Sequence, residues 1–332
     1  MKRLAVLTSG GDAPGMNACL RAVVRTALYH KIEVIGFKHG YNGLINDEHI
    51  HLDRKSVANI IQRGGTILKT SRSERFKTEE GLQKAAHNLN KLQAEALVVI
   101  GGDGTFAGAI ALAKQFRTQN SGAPSGSFRI VGCPGTIDND LIGTDFTIGY
   151  DTAINTVIDA VDKIRDTAES HDRVFIVEVM GRDAGLIALR SGIGSGAEAI
   201  LIPESKNNLE ALIERLKTSR PDKSSKIIIV AEGDESGGAY KVAEKLKEQF
   251  PAFDMRVSIL GHIQRGGSPT CMERVNASII GYNAVEALLQ GKNGVMIGIV
   301  NKQVTYTPFE NAIKHTQALN PAMLKMMEIL SL

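Results

Sequence analysis

Three short stretches of this chain place carboxylates directly after glycine-rich turns: TSGGDAPG at 8–15, GGDGT at 101–105 and CPGTIDND at 133–140. In the third, Asp138 and Asp140 flank a single amide. Pro134 and Gly135 end an apolar strand over 129–133 in a tight turn. Carboxylates placed there sit at a strand's C-terminal end, where open α/β sheets take ligands. Asp and Asn are also ordinary turn formers, so one such stretch alone is equally an Asx-rich turn. Repetition of the context favours ligand binding. The glycines at 101, 102 and 104 leave bare backbone for phosphates, and a helix following the turn offers free N–H groups. Asp103 is placed to hold a magnesium ion beside those phosphates. Phosphoryl transfer asks for this inventory: groups that position phosphates, groups that neutralise their charge, and a carboxylate facing an attacking hydroxyl.

The elements that position these turns follow from apolar runs. Strands are expected at 4–9, 32–38, 96–100, 129–133, 174–179, 199–202, 227–231 and, last, 295–300. Helical patterns run over 18–29, from 52 to 61, behind the GGDGT turn, over 151–167 and 272–289, and at the C-terminus. The strand at 174–179 delivers Met180-Gly181-Arg182, that at 227–231 delivers Glu232-Gly233, and Ile259-Leu260 lead into GHIQRGGSP with His262 and Arg265. About nine strands alternating with helices predict an α/β chain of two doubly wound, three-layer domains with mainly parallel sheets. Their Gly, Asp and Arg clusters all fall at strand ends, so they can converge on one cleft. Residues 117–128 read as an extended surface loop. SGIGSGAE at 191–198 follows a helical pattern, not a strand, which argues against a nicotinamide site there.

At 332 residues, 43% hydrophobic and 23% charged, the chain has the composition of a soluble globular protein with room for two domains. A net charge of +3, with no basic run interleaved with aromatics, argues against nucleic acid. Cys19, Cys133 and Cys271 are scattered, as buried thiols in a reducing compartment would be. The first apolar run breaks into glycines too early for a signal peptide or membrane span, so the cytoplasm is expected. There is no GxxxxGK[ST] loop and no HRD…DFG set, and no zinc spacing stands out. Arg and His in the second half suggest an anionic acceptor such as a sugar phosphate. Arg72 and Arg75, in a hydroxyl-rich loop after QRGGT, read on their own as solvated.

Taken together, LTSGGDAPGMNA, QRGGT, VVIGGDGT, PGTIDND, IGYDTA, VEVMGRDAG and LGHIQRGGSP, in that order, resemble the ATP-dependent 6-phosphofructokinases of the bacterial allosteric type. The resemblance implies two α/β domains with the active site between them: 1–140 plus 255–305 for ATP, and 141–254 plus 306–332 for fructose 6-phosphate. It implies a homotetramer that makes fructose 1,6-bisphosphate and ADP. Gly11, Arg72, Ser73, Gly102, Asp103, Gly104 and Thr105 would bind ATP, with Mg2+ on Asp103. Asp138 would be the base, supported by Thr136, Asp140 and Arg182. Thr136, Ile137, Met180, Gly181, Arg182, Glu232, His262, Ile263, Gln264 and Arg265 would line the acceptor. Arg173 and Arg256 would reach its 6-phosphate from a neighbouring subunit. Glycine at 104 and 135, where pyrophosphate-dependent relatives look like Asp and Lys, leaves room for a nucleotide. An effector site for nucleotides or phosphoenolpyruvate would use Arg21, Arg25, Arg54, Arg165, Gly196, Glu198 and Lys223. SRPDKSSK replaces the dense basic run of relatives there, and Ser73 stands where an aromatic is common.

Overall fold

The computed structural model describes residues 1–119, 128–171, 173–205, 208–218, 226–313 and 319–330. In chain order the elements are β1 Arg3–Thr8, α1 Met16–Tyr29, β2 Glu33–Phe37, α2 Gly40–Asn46, β3 His49–Leu52, α3 Glu79–Lys91, β4 Ala96–Gly101 and α4 Asp103–Gln119. Next come β5 Arg129–Thr136, β6 Ile148–Gly149, α5 Tyr150–Ser170, β7 Val174–Val179, α6 Leu186–Gly194, β8 Ala199–Leu201 and α7 Asn208–Thr218. The rest are β9 Lys226–Ala231, α8 Ala239–Gln249, β10 Met255–Ile259, α9 Cys271–Leu289, β11 Val295–Val300, β12 Gln303–Pro308, α10 Phe309–Ala312 and α11 Pro321–Leu330.

The chain divides into two compact units. The larger comprises 1–137, 141–151 and 265–316; the smaller comprises 138–140, 152–264 and 317–332. The larger unit holds a sheet ordered β12-β11-β5-β4-β1-β2-β3, with β6 beside the end of β5. Its strands are parallel except the two outermost, β3 and β12. Leu4–Leu7 and Leu97–Ile100 are fully buried, as inner strands of a covered parallel sheet must be. The smaller unit holds a parallel sheet ordered β10-β7-β9-β8, with a core of Ile176, Ile228, Val230, Leu212, Val242 and Leu246.

Several expectations are corrected. The helix expected from 52 to 61 is absent: Leu52 ends β3, and turns follow. Asp53 accepts hydrogen bonds from the Ser56 N–H and hydroxyl as a helix cap would, but the chain then turns through Asn59 at φ 54°. Val295–Val300 is not the last strand, because β12 pairs antiparallel beyond it. Residues 117–119 finish α4; the remainder of the expected loop, apart from Phe128, lies outside the described residues. Cys271 is exposed at the start of α9, whereas Cys19 and Cys133 are buried. β10 pairs with β7 and so lies in the sheet of the smaller unit, and β12 pairs with β11 in that of the larger.

Candidate functional site

In the larger unit the three glycine turns issue from adjacent strands. Thr8 of β1 lies beside Ile100 of β4, and Gly101 of β4 beside Pro134 of β5, so the turns emerge side by side at one edge of the sheet. Ser9 N–H donates to Ile100 O at 3.0 Å and the Thr105 hydroxyl to Ser9 O at 3.2 Å, which fastens the first turn to the second. α4 begins at Asp103, so its free N–H groups start where the glycines leave off. Asp103 is half-buried and Gly104 exposed, with no atom within 4 Å of where a side chain would begin. The buried Tyr41 hydroxyl donates to Thr105 O at 2.6 Å, and burial pushes its pKa far above the usual phenol value.

The 62–73 segment is laced over this edge. Asn17, 1% exposed, donates to the carbonyls of Arg63 and Gly64 at 3.1 Å each and accepts from Ile67 N–H at 2.9 Å. Asn42 donates to the Ser71 hydroxyl and to Arg72 O, and accepts from the Ser73 hydroxyl. Ser73 also receives the Phe76 N–H, so its oxygen closes a local turn while the Arg72 side chain stays exposed. Neither Asn17 nor Asn42 stood out in the sequence as a site residue. Arg265 donates to Asp12 O at 3.2 Å, and a methyl on Gly11 would stand 2.6 Å from its Nη1. The structure therefore seats Arg265 against the first glycine turn. Thr136, at the end of β5, has its carbonyl bonded by the Thr147 hydroxyl at 2.6 Å.

In the smaller unit, Asp138 is 3% exposed and followed by Asn139 at φ 54°. Asp140 lies 3.9 Å from Arg182 through Oδ2 and Nη1. Arg182 itself sits at φ 54°, a conformation that costs a non-glycine residue and is held by its neighbours. Glu232 does much of the holding: its Oε1 accepts from Arg182 N–H at 2.7 Å and Gly181 N–H at 3.3 Å. That reach is set by topology, since β9 lies beside β7 with Ala231 opposite Val179. Gln264, fully buried, accepts from Met180 N–H at 3.2 Å and donates to Gly261 O, so it braces the same turn. His262 and Ile263 are exposed. At the sheet's edge, Arg173 and Arg256 both meet one carboxylate, Asp254, at 2.8 Å and 3.1 Å.

The residues expected at an effector site divide between the units. Arg21 and Arg25 lie on α1, with exposed Arg54 beyond β3. Burial, and then Arg25, lowers the Arg21 pKa. In the smaller unit Arg165 donates to Ser195 O and Gly196 O at 2.7 and 3.1 Å and lies 3.7 Å from Glu198. Lys223 lies outside the described residues. Among the described residues, no three His, Cys, Asp or Glu side chains gather as a metal cage, and no helix is long and apolar enough to cross a membrane.

Strand-end glycine turns on a parallel sheet, with a carboxylate beyond them, define an α/β phosphate-binding protein. Residues 3–288 match the model of one family, described as phosphofructokinase, and the chain belongs to that family. It is 51% identical over 332 residues to the ATP-dependent 6-phosphofructokinase of Cytophaga hutchinsonii, covering all of this chain and 98% of the relative. It is 52% identical over 333 residues to ATP-dependent 6-phosphofructokinase 1 of Thermus thermophilus, covering both in full. Among solved structures, the phosphofructokinase of Saccharomyces cerevisiae superposes with a TM-score of 0.86 at 36% identity. This chain is covered completely there, and spans about half of that protein (48%).

Proposed function

We propose that the chain transfers the γ-phosphoryl group of MgATP to the 1-hydroxyl of fructose 6-phosphate, giving fructose 1,6-bisphosphate and ADP, a committed step of glycolysis in the cytoplasm. The observation that carries this reading is the trio of glycine turns on β1, β4 and β5, the last running straight into Asp138, in a chain of this family. Gly11, Arg72, Ser73 and the backbone of Gly102–Thr105 take the nucleotide. Asp138, nearly out of water, accepts the proton of the 1-hydroxyl on a carboxylate oxygen as that hydroxyl's oxygen attacks phosphorus. Arg182, steadied by Asp140, offsets charge that grows on the transferring group. Thr136, Ile137, Met180, Gly181, Glu232 and the 262–265 segment shape the acceptor side. Arg173 and Arg256 hold the 6-phosphate from a neighbouring subunit of a homotetramer.

Asp103 heads α4, and among the described residues no cage of three ligating side chains surrounds it. This fits magnesium, which favours one or two carboxylates plus substrate phosphates over an all-protein site. When bound, the ion neutralises phosphate charge. The open space at Gly104 supports a nucleotide donor. Gly135 does not add to that support: a side chain there would meet Met16 Cε at 2.9 Å and Gly101 N at 3.1 Å, so its glycine serves close packing instead of donor space. Regulation by nucleotides or phosphoenolpyruvate belongs to the same reading, through Arg21, Arg25, Arg54, Arg165, Gly196, Glu198 and Lys223.

The test is a coupled assay with fructose 6-phosphate and either ATP or pyrophosphate, repeated with ADP and phosphoenolpyruvate added. Turnover with ATP is expected. Turnover with pyrophosphate and none with ATP would overturn the donor assignment.

A further inference from the structure

At the outer edge of the smaller sheet, two guanidinium groups converge on one carboxylate. β10 lies parallel to β7, with Phe175 opposite Arg256, so Arg173, just ahead of β7, lies near Arg256 on the neighbouring strand. Asp254 lies just ahead of β10, and its carbonyl accepts Val174 N–H at 3.0 Å, which fixes its backbone beside Arg173. Its Oδ2 accepts from Arg173 Nε at 2.8 Å, and its two oxygens lie 3.1 and 3.2 Å from Arg256 Nη2. Lys247 pins the preceding turn by donating to Pro251 O and Phe253 O at 2.8 Å each. Each arginine thus spends one edge of its planar fork on Asp254 and keeps the remaining N–H groups for another anion.

We propose that Asp254 is a positioning residue for the acceptor's 6-phosphate: it holds Arg173 and Arg256 side by side and aims their unused donors at one dianion. The proposal rests on the reading of those two arginines as phosphate ligands. An exposed carboxylate also repels a phosphate, but that repulsion is screened by water. Two long side chains left unordered lose more on binding than the screened repulsion costs, so aiming them beforehand wins. The hydrogen bond from Arg173, and then the charges of Arg256 and Arg173, hold the Asp254 carboxyl below its ordinary value. It therefore stays ionised through the neutral range in which the brace is needed.

The experiment uses the full-length enzyme and compares Asp254→Asn, Asp254→Glu and Arg256→Ala with the parent. Asp254→Asn is expected to raise KM for fructose 6-phosphate about tenfold, the scale of removing one charge-assisted hydrogen bond. The value of kcat, KM for ATP and the melting temperature stay near the parent's, and Asp254→Glu restores most of the acceptor affinity. A residue that served only folding would lower the melting temperature and kcat without this split. An unchanged or lowered KM for fructose 6-phosphate in Asp254→Asn, with Arg256→Ala still raising it, overturns the brace and leaves the arginine assignment standing. An unchanged KM in Arg256→Ala overturns both.

Discussion

Two glycines three residues apart make opposite predictions about stability and nucleotide affinity. A methyl on Gly101 would lie 2.3 Å from Thr105 Oγ1, 2.4 Å from Ser9 O and 2.9 Å from Thr105 Cβ. Non-bonded carbon atoms settle near 3.5–4.0 Å apart, so the overlap is about 1 Å, part of it against backbone that cannot rotate aside. Gly101→Ala must also break the bond from the Thr105 hydroxyl to Ser9 O. Overpacking costs about 1–3 kcal/mol and the broken bond about 0.5–1.5, so a loss of about 2–4 kcal/mol is expected. For a unit of this size that is a fall in melting temperature of about 4–16 °C. Gly104→Ala meets no atom within 4 Å, and it lies in the first turn of α4. There alanine is the better helix former by up to about 1 kcal/mol, so the melting temperature holds or rises slightly. Its methyl nevertheless stands where the proposed phosphates approach the backbone, so KM for ATP is expected to rise about tenfold, with little change in KM for fructose 6-phosphate. Calorimetry and a coupled assay on both variants decide it. A parental melting temperature in Gly101→Ala would refute the packing argument, and a parental KM for ATP in Gly104→Ala would refute the phosphate cradle.

Asp138→Asn keeps the shape of the buried side chain and removes its basicity; kcat should fall by about 10²–10⁴ with both KM values little changed, and a kcat near the parent's would remove Asp138 from the base role. Asp103→Asn should raise the Mg2+ concentration needed for half-maximal rate at fixed ATP, while an unchanged magnesium titration would detach Asp103 from the ion. Tyr41→Phe removes the 2.6 Å donor from Thr105 O, an oxygen that the α4 ladder still bonds, so urea unfolding should show a loss of about 0.5–1.5 kcal/mol. Coincident unfolding curves would mean that this hydroxyl contributes nothing beyond the helix's own bond. Glu232→Gln weakens the two bonds that hold Gly181 and Arg182. It is expected to lower kcat and acceptor affinity while sparing KM for ATP.

How much of this molecule its sequence discloses depends on how local each cause is. β1, β4 and β9 are buried on both faces and so write themselves as unbroken apolar runs. β3, β10 and β12 lie at sheet edges with partly exposed residues, and no run of that kind marks them. The false helix at 52–61 has the same origin: Asp53 and Ser56 form a real cap, but the chain runs through turns, with Asn59 at φ 54°, instead of a helix. The site divides likewise. The proposed site residues Asp103, Asp138 and Arg182 can be picked out because each follows its own strand within a few residues. Asn17 acts on carbonyls 46 and 47 positions away, and Gln264 on an N–H 84 positions away. Their partners are chosen by strand order, which no local pattern encodes. The same division separates residues proposed to meet substrate from residues proposed to aim them: Asp254 lies two positions from Arg256 but 81 from Arg173, and only the pairing of β10 with β7 makes it an anchor for both. Substitutions at such anchors should therefore change affinity for one substrate selectively, because each governs a single turn or a single pair of side chains.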